Sequence, residues 1–266
     1  MSELRLKLVA KRRLTDRIAE LCLEPAEGAL SAWEAGAHMR VTLPDGGDRA
    51  YSLIHFDTVP DAPADYRIAV QLEEESTGGS RYMHGLVEGD EITVTPPKCD
   101  FRVTPDAPAV MLAGGIGITP LISMAAALKA AGTPVELHYA VPSRSLMAYG
   151  EELAEPLGEA LHVHCDDDDS ALDLDALIGS LGERHLYICG PRGLIDAARS
   201  RAEAAGIPAD RVHVELFDNA SAGGTDDGAF EVEIASTGEV VQVPADKTII
   251  EALEEAGHDL IYDCQR

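Results

Sequence analysis

The chain has 266 residues, enough for one large domain or two of ordinary size. Its 21 Lys and Arg face 47 Asp and Glu, a formal charge of −26 that leaves no basic face for nucleic acid and disfavours docking on anionic lipid. A hydrophobic share of 45% excludes wholesale disorder, and no segment reaches the ~18 consecutive apolar residues of a membrane-spanning helix.

At the N-terminus Leu4, Leu6 and Leu8 alternate with polar residues, the period of a strand and not the continuous apolar run of a signal peptide. Compact or alternating apolar runs recur at 4–9, 18–23, 39–43, 51–54, 66–72 and 91–95, separated by turn signals such as Pro44-Asp45-Gly46-Gly47 and Pro96-Pro97. Short strands with this punctuation predict a closed antiparallel barrel or sandwich over 1–103.

Beyond Pro105 the rhythm becomes strand–helix alternation. Strands are expected at 109–113, 135–141, 160–165, 186–189 and 212–216. One helix carries Leu121, Met124, Ala125 and Leu128 on one face, and others are expected near 146–157, 173–181 and 193–205. That order predicts a parallel sheet covered on both faces over 104–217.

The segment 218–228 is polar, small and glycine-rich, the composition of a linker. After it, Phe230, Val232 and Ile234 alternate, then Val240 and Val243 follow a Thr237-Gly238 turn, which predicts a hairpin. Thr248 and Glu251 form a capping box for a short helix with Ile249, Ala252, Leu253 and Ala256 inward and Gly257 as its stop. The 38 residues from 229 to 266 amount to about half a domain.

Four short motifs carry chemistry. Gly114, Gly115 and Gly117, before Thr119-Pro120, join a buried strand to a helix, where backbone N–H groups and the helix dipole suit a pyrophosphate. Pro120 is expected at the first helical position. Cys189-Gly190-Pro191 ends a later strand of the same sheet and leaves room for a flat ring near the backbone. In the barrel, Arg49-Ala50-Tyr51-Ser52-Leu53 supplies a cation, a phenol and a hydroxyl on one strand. Gly78-Gly79-Ser80-Arg81 offers amides, a hydroxyl and a guanidinium to a phosphate. Taken singly, each is equally an ordinary turn or strand.

Their order and spacing, with Glu215-Leu216-Phe217 at the end of the last strand, resemble the ferredoxin–NADP reductase superfamily. The likeness is to its phthalate dioxygenase reductase and vanillate O-demethylase reductase branch, over the full chain. The resemblance implies a flavin-binding barrel, a nicotinamide domain and, from 229 on, part of a β-grasp ferredoxin-like domain. It implies that Arg49 contacts the flavin phosphate region, Tyr51 packs along the ring, Ser52 hydrogen-bonds near the reactive nitrogen, and Ser80 and Arg81 take the phosphate. In the same way Gly114, Gly115 and Gly117 take the pyrophosphate, and Thr119, Cys189, Gly190 and Pro191 border the nicotinamide. Phe217 covers the flavin, with Glu215 beside it. The implied catalytic group is Ser52, Thr119, Cys189, Glu215 and Phe217.

The resemblance also implies FMN over FAD, since the branches with so short a phosphate segment use FMN. The run Asp166 to Asp169 follows a strand of the nucleotide domain; a carboxylate there, Asp166 first among them, repels a 2′-phosphate and favours NADH, whereas Arg144 points weakly towards NADPH. The acceptor implied by resemblance is a Rieske-type oxygenase, reached through a 2Fe–2S cluster. Cys264 matches the first of that cluster's four cysteine ligands, and the sequence carries no other cysteine after it. The chain is therefore expected to be part of a longer reductase and to hold no cluster as written. The five cysteines, Cys22, Cys99, Cys165, Cys189 and Cys264, are scattered and odd in number, so reduced thiols and a cytoplasmic location are expected. His162 and His164 share one face of a strand, but no third ligand is identifiable from sequence and no metal is assigned there. Two further readings stand beside this one. One is an FAD- and NADPH-linked ferredoxin or flavodoxin reductase, and the other a flavin-binding electron-transfer module without nicotinamide turnover.

Overall fold

A computed structural model describes the chain except residues 1–2, 75, 77, 218–228, 235–236, 245–246, 248 and 259–266, and omits the side chain of 250. The linker 218–228, the helix cap Thr248 and the proposed cluster ligand Cys264 lie outside the described residues. Two compact units emerge, Met1–Phe217 and Asp218–Arg266.

The first unit opens with β1 (Leu4–Arg13), β2 (Ile18–Pro25), β3 (His38–Thr42), β4 (Asp48–Ser52), β5 (Tyr66–Gln71) and β6 (Glu91–Val94). They form one antiparallel sheet in the order β4-β3-β6-β1-β2-β5. The amide of Ile54, just past β4, donates to the Arg67 carbonyl on β5 at 2.8 Å, so the two edge strands meet and the sheet curls into a barrel. Period-two alternation decides what is inside: Leu6 and Leu8 are fully buried while Arg5 and Lys7 face water. Each such leucine contributes ~1.5–3 kcal/mol of burial. Trp33, Met39, Leu53, Tyr66, Ile68 and Met83 fill the same interior. Between β5 and β6, α1 (Gly79–Gly85) closes one end.

The parallel half contains β7 (Ala109–Gly114), α2 (Ile118–Ala130), β8 (Val135–Val141), α3 (Gly150–Leu157), β9 (Leu161–Cys165), α4 (Leu174–Gly179), β10 (His185–Cys189), α5 (Arg192–Ala204) and β11 (Val212–Glu215). The order β11-β10-β7-β8-β9 puts β7 in the middle, and all six of its residues are buried, as a strand covered on both faces requires. One face holds Val110, Leu112, Leu186 and Ile188 against α4 and α5. The other holds Met111, Tyr139 and Tyr187 against α2.

α2 is apolar around most of its circumference because it has two partners. Its core cluster includes Ile18, Ile54 and Ala69 of the barrel as well as the sheet, so barrel and sheet share one interior. Buried Ser123 on α2 fixes the junction: its Oγ donates to the Leu53 carbonyl at 3.0 Å and accepts from the His55 amide at 2.8 Å. Arg12 on β1 adds a second tie, pairing with Glu20 on β2 at 3.2 Å and Glu152 on α3 at 2.5 Å. Pro120 is not the first helical residue, since α2 begins at Ile118. As the third it still lies where the amide has no intrahelical partner, so the missing N–H costs nothing.

The second unit contains the antiparallel hairpin β12 (Phe230–Ile234) and β13 (Glu239–Val243), then α6 (Ile249–Glu255). Its core is Val241, Val243 and Ala252, with Val232, Ile234 and Leu253 packed on it. The inward set differs from the expected one. Register pairs Val232 with Val241 and Phe230 with Val243, so Val240 points outward at 53% exposure. Ile249 on α6 and Ala256 just past it are likewise exposed.

Candidate cofactor-binding site

The two glycine turns of the parallel half are in contact. β7 and β10 are neighbours in register, Ala113 opposite Cys189, so both strands deliver their turns to one carboxyl edge. A Cβ on Gly117 would lie 2.2 Å from the Cys189 carbonyl oxygen, and one on Gly114 would lie 2.6 Å from Pro191 Cδ. A Cβ on Gly190 would lie 2.9 Å from Gly114 Cα. Gly115 takes φ +54°, a left-handed conformation that glycine adopts without strain. Thr119 is buried, and its hydroxyl donates to the Ile116 carbonyl at 3.1 Å, which stiffens the turn.

Next to this edge lies a cleft of about 490 Å³, a volume in the range of small-molecule sites. Gly114, Gly115, Pro191 and Asp166 line it from the sheet side. Thr15, Arg17, Ile18 and Gln71 line it from the barrel. Sequence reasoning missed Arg17, which belongs to no motif; only the fold brings it here. Its guanidinium is held by the Leu72 carbonyl at 2.9 Å and by Glu74 at 2.8 Å. Arg144 sits in a single 3₁₀ turn after β8, with its charge acting on Asp168 of the acidic loop. Asp168 itself accepts the Ser170 amide at 2.8 Å and shapes that loop.

On β4 the period of two separates the motif into faces. Arg49 and Tyr51 share one side and Ser52 takes the other, while Ala50 is exposed. Burial pushes the Tyr51 phenol up to about 12. Arg49 crosses the glycine segment: a Cβ on Gly79 would lie 2.7 Å from Arg49 Cγ, so only glycine there admits the arginine. Gly78 has φ +112° and starts α1. Ser80 Oγ accepts from the Glu73 amide at 3.1 Å, and Arg81 donates to the Glu74 carbonyl at 3.0 Å. Arg81 also borders, with Arg17, a second cavity of about 270 Å³. Leu53 is fully buried and its carbonyl is the one held by Ser123.

Two buried polar atoms here have no hydrogen-bond partner among the described residues, Ser52 Oγ and Glu215 Oε2. Buried hydroxyls and carboxylates are seldom left unanswered, so both positions fit a polar ring that supplies the missing partners. Glu215 lies opposite Cys189 in the β10–β11 register. Burial first, and then the charge of Asp100, pushes the Glu215 carboxyl up to about 7. Burial and the Glu215 charge raise the Cys189 thiol, so it stands as a neutral, compact side chain beneath the site. Phe217, two residues beyond Glu215, is 40% exposed.

A closed antiparallel barrel joined through a buried helix to a parallel sheet, with two glycine turns abutting at the carboxyl edge, defines a two-domain nucleotide-dependent oxidoreductase. Residues 111–200 match the family model described as an oxidoreductase NAD-binding domain. The heme-dependent oxidative N-demethylase beta subunit of Ectopseudomonas mendocina (strain ymp) is 37% identical over 97% of this chain and 82% of its own length. The vanillate O-demethylase oxidoreductase of Pseudomonas putida is 34% identical over 94% of this chain and 81% of its own. Phthalate dioxygenase reductase, a solved structure described as a module for electron transfer from pyridine nucleotides to [2Fe–2S], superposes with a TM-score of 0.75. It is 30% identical and covers 98% of this chain and 82% of that one. The chain belongs to the oxygenase-reductase branch of the ferredoxin–NADP reductase superfamily. No helix among the described residues is long and apolar enough to cross a membrane.

Proposed function

We propose that the protein is an NADH-dependent FMN reductase that delivers single electrons to a Rieske-type oxygenase. The observation that carries the nucleotide half is the cleft in which Gly114, Gly115, Pro191 and Asp166 converge. The glycine amides and the start of α2 bind the pyrophosphate, and Asp166 places a carboxylate where a 2′-phosphate is repelled. Gly190 and Pro191 leave the nicotinamide a flat seat over Cys189.

The flavin half rests on Arg49 with Gly78, Gly79, Ser80 and Arg81 for the phosphate, and on Tyr51 and Ser52 for the ring. The partnerless Ser52 hydroxyl orients the reacting edge of the ring, and Thr119 keeps the adjoining turn rigid. Glu215, its carboxyl pushed up to about 7, gains or loses a proton around neutral pH beside Cys189, and Phe217 excludes water from the stack. FMN, when bound, supplies the conversion of one hydride's electron pair into two single electrons; the protein supplies position and field.

For the acceptor, the support is the relatives' names as demethylase and dioxygenase reductases. Cys264 is proposed as one thiolate of a 2Fe–2S relay, by resemblance alone. The net charge of −26 suits docking against a basic patch on the oxygenase.

The test is an anaerobic titration followed by identification of the flavin released on heating. Bleaching by about one equivalent of NADH, with FMN released, is the expected result. Flavin unchanged by NADH overturns nicotinamide turnover. Bleaching by NADPH alone moves nucleotide selection from Asp166 to Arg144.

A further inference from the structure

A second polar constellation lies on β8 and β9, on the sheet face opposite α2. Register places His138 beside His162 and Ala140 beside His164, with Glu136 one pleat earlier than His138 on the same face. Three imidazoles and a carboxylate thus share one patch.

The hydrogen bonds fix the tautomers. His164 Nδ1 lies 3.1 Å from the Ser170 carbonyl, which only accepts, so His164 carries its proton on Nδ1. Its Nε2 lone pair then accepts from His138 Nδ1 at 3.0 Å, the two rings being parallel to within 6°. His138 is left with a bare Nε2, and this atom faces Glu136 Oε2 at 3.9 Å, beyond hydrogen-bond reach. His162 stacks on His138 with ring centroids 4.6 Å apart.

The carboxylate is braced as well. Arg184 donates to Glu136 Oε2 at 2.6 Å and is pinned by the Leu181 and Ser180 carbonyls at 3.1 and 2.7 Å. One ligand atom each from Glu136, His138 and His162 lies within 4.8 Å of the others. Two lone-pair donors therefore face each other, a third stands alongside, and two of the three are held by hydrogen bonds, His138 through its far nitrogen and Glu136 through Arg184 on the facing oxygen. Metal sites show this pattern: a ligating imidazole donates its other N–H outward, and a ligating carboxylate is itself hydrogen-bonded.

We propose that Glu136, His138 and His162 form an open three-ligand site for a divalent transition ion of the zinc class. Two imidazoles and one carboxylate match that ion's donor preference and leave a fourth position to water. His162, the most accessible of the three, closes the set by a rotamer change of about 1 Å, since tetrahedral ligands at ~2.0–2.1 Å sit ~3.3–3.5 Å apart. His164 is a positioning residue, acting through His138. The site is independent of the flavin and nicotinamide reading.

The experiment is titration of chelator-stripped holoprotein with Zn²⁺ by calorimetry, with Co²⁺ as an optical probe of coordination. One equivalent is expected to bind. His162→Ala and Glu136→Gln are each expected to weaken binding at least tenfold, and His164→Gln by 10- to 100-fold. Circular dichroism and a thermal midpoint matching the parent show that the His162→Ala protein is folded. Asp167→Asn, on the exposed acidic loop, is expected to leave Zn²⁺ binding intact. Absence of uptake, uptake undiminished in His162→Ala and Glu136→Gln, or uptake lost only in Asp167→Asn overturns the proposal.

Discussion

At the scale of residues, the informative atoms are those the fold buries without an answer. Ser52 Oγ has no partner among the described residues, so Ser52→Ala removes an unsatisfied hydroxyl and leaves apoprotein stability unchanged or slightly higher. Flavin reduction by NADH is expected to slow roughly 10- to 100-fold in stopped flow, as for loss of one aimed hydrogen bond. Equal loss of apoprotein Tm and rate would assign Ser52 a structural role instead. Glu215 gives a pH-dependent prediction. Its folded carboxyl is raised to about 7, above the unfolded value of 4.5, so its stabilisation is full below 4.5, falls across the window in which only the folded state holds the proton, and is gone above about 7. Glu215→Gln is therefore expected to match the parent apoprotein at pH 5 and exceed it at pH 8, by at most ~3 kcal/mol. Denaturation midpoints at the two pH values read this out, and a difference that does not grow with pH refutes it.

At the scale of elements, the decisive contacts are the two glycine turns and the α2 junction. Gly117→Ala would drive a methyl into the Cys189 carbonyl, backbone against backbone, so β7 and β10 must part. A Tm loss of several degrees with weakened nucleotide binding is expected, a cost of about 1–3 kcal/mol for overpacking. Ser123→Ala strips one hydrogen bond from the Leu53 carbonyl and one from the His55 amide, both just beyond the end of β4 at Ser52. Its expected cost is ~1–3 kcal/mol, with a flavin affinity loss larger than any change in nucleotide affinity. Flavin binding unaffected by Ser123→Ala would separate the junction from the flavin seat.

At the scale of the whole molecule, the charge of −26 governs encounter more than architecture. Electron delivery to a basic oxygenase is expected to slow as ionic strength rises from 0.01 to about 1 M, where the screening length falls from ~30 Å to ~3 Å. Reduction of the flavin by NADH, paced within the cleft, is expected to change much less. Equal salt dependence of both steps would show that charge serves solubility alone.

The sequence by itself determined most of the elements and their order. Strand and helix periodicity is written locally, so most strands lie where their apolar runs fall, β4 alone sitting earlier (Asp48–Ser52) than the run at 51–54, and the glycine motifs announce the two turns before any fold is known. Local pattern does not say which turns touch. That Gly117 abuts Cys189, that Glu215 lies beside Cys189, and that Arg17 reaches the cleft all follow from strand order and barrel closure, which are set by long-range pairing. The same limit leaves strand faces open until pairing is known. Val240 and Val241 are equally apolar, and the register with Val232 chose the inner one. His162 and His164 share a face by sequence, but their companions His138 and Glu136 sit some 25 residues earlier in the chain on β8, and only parallel pairing sets them side by side.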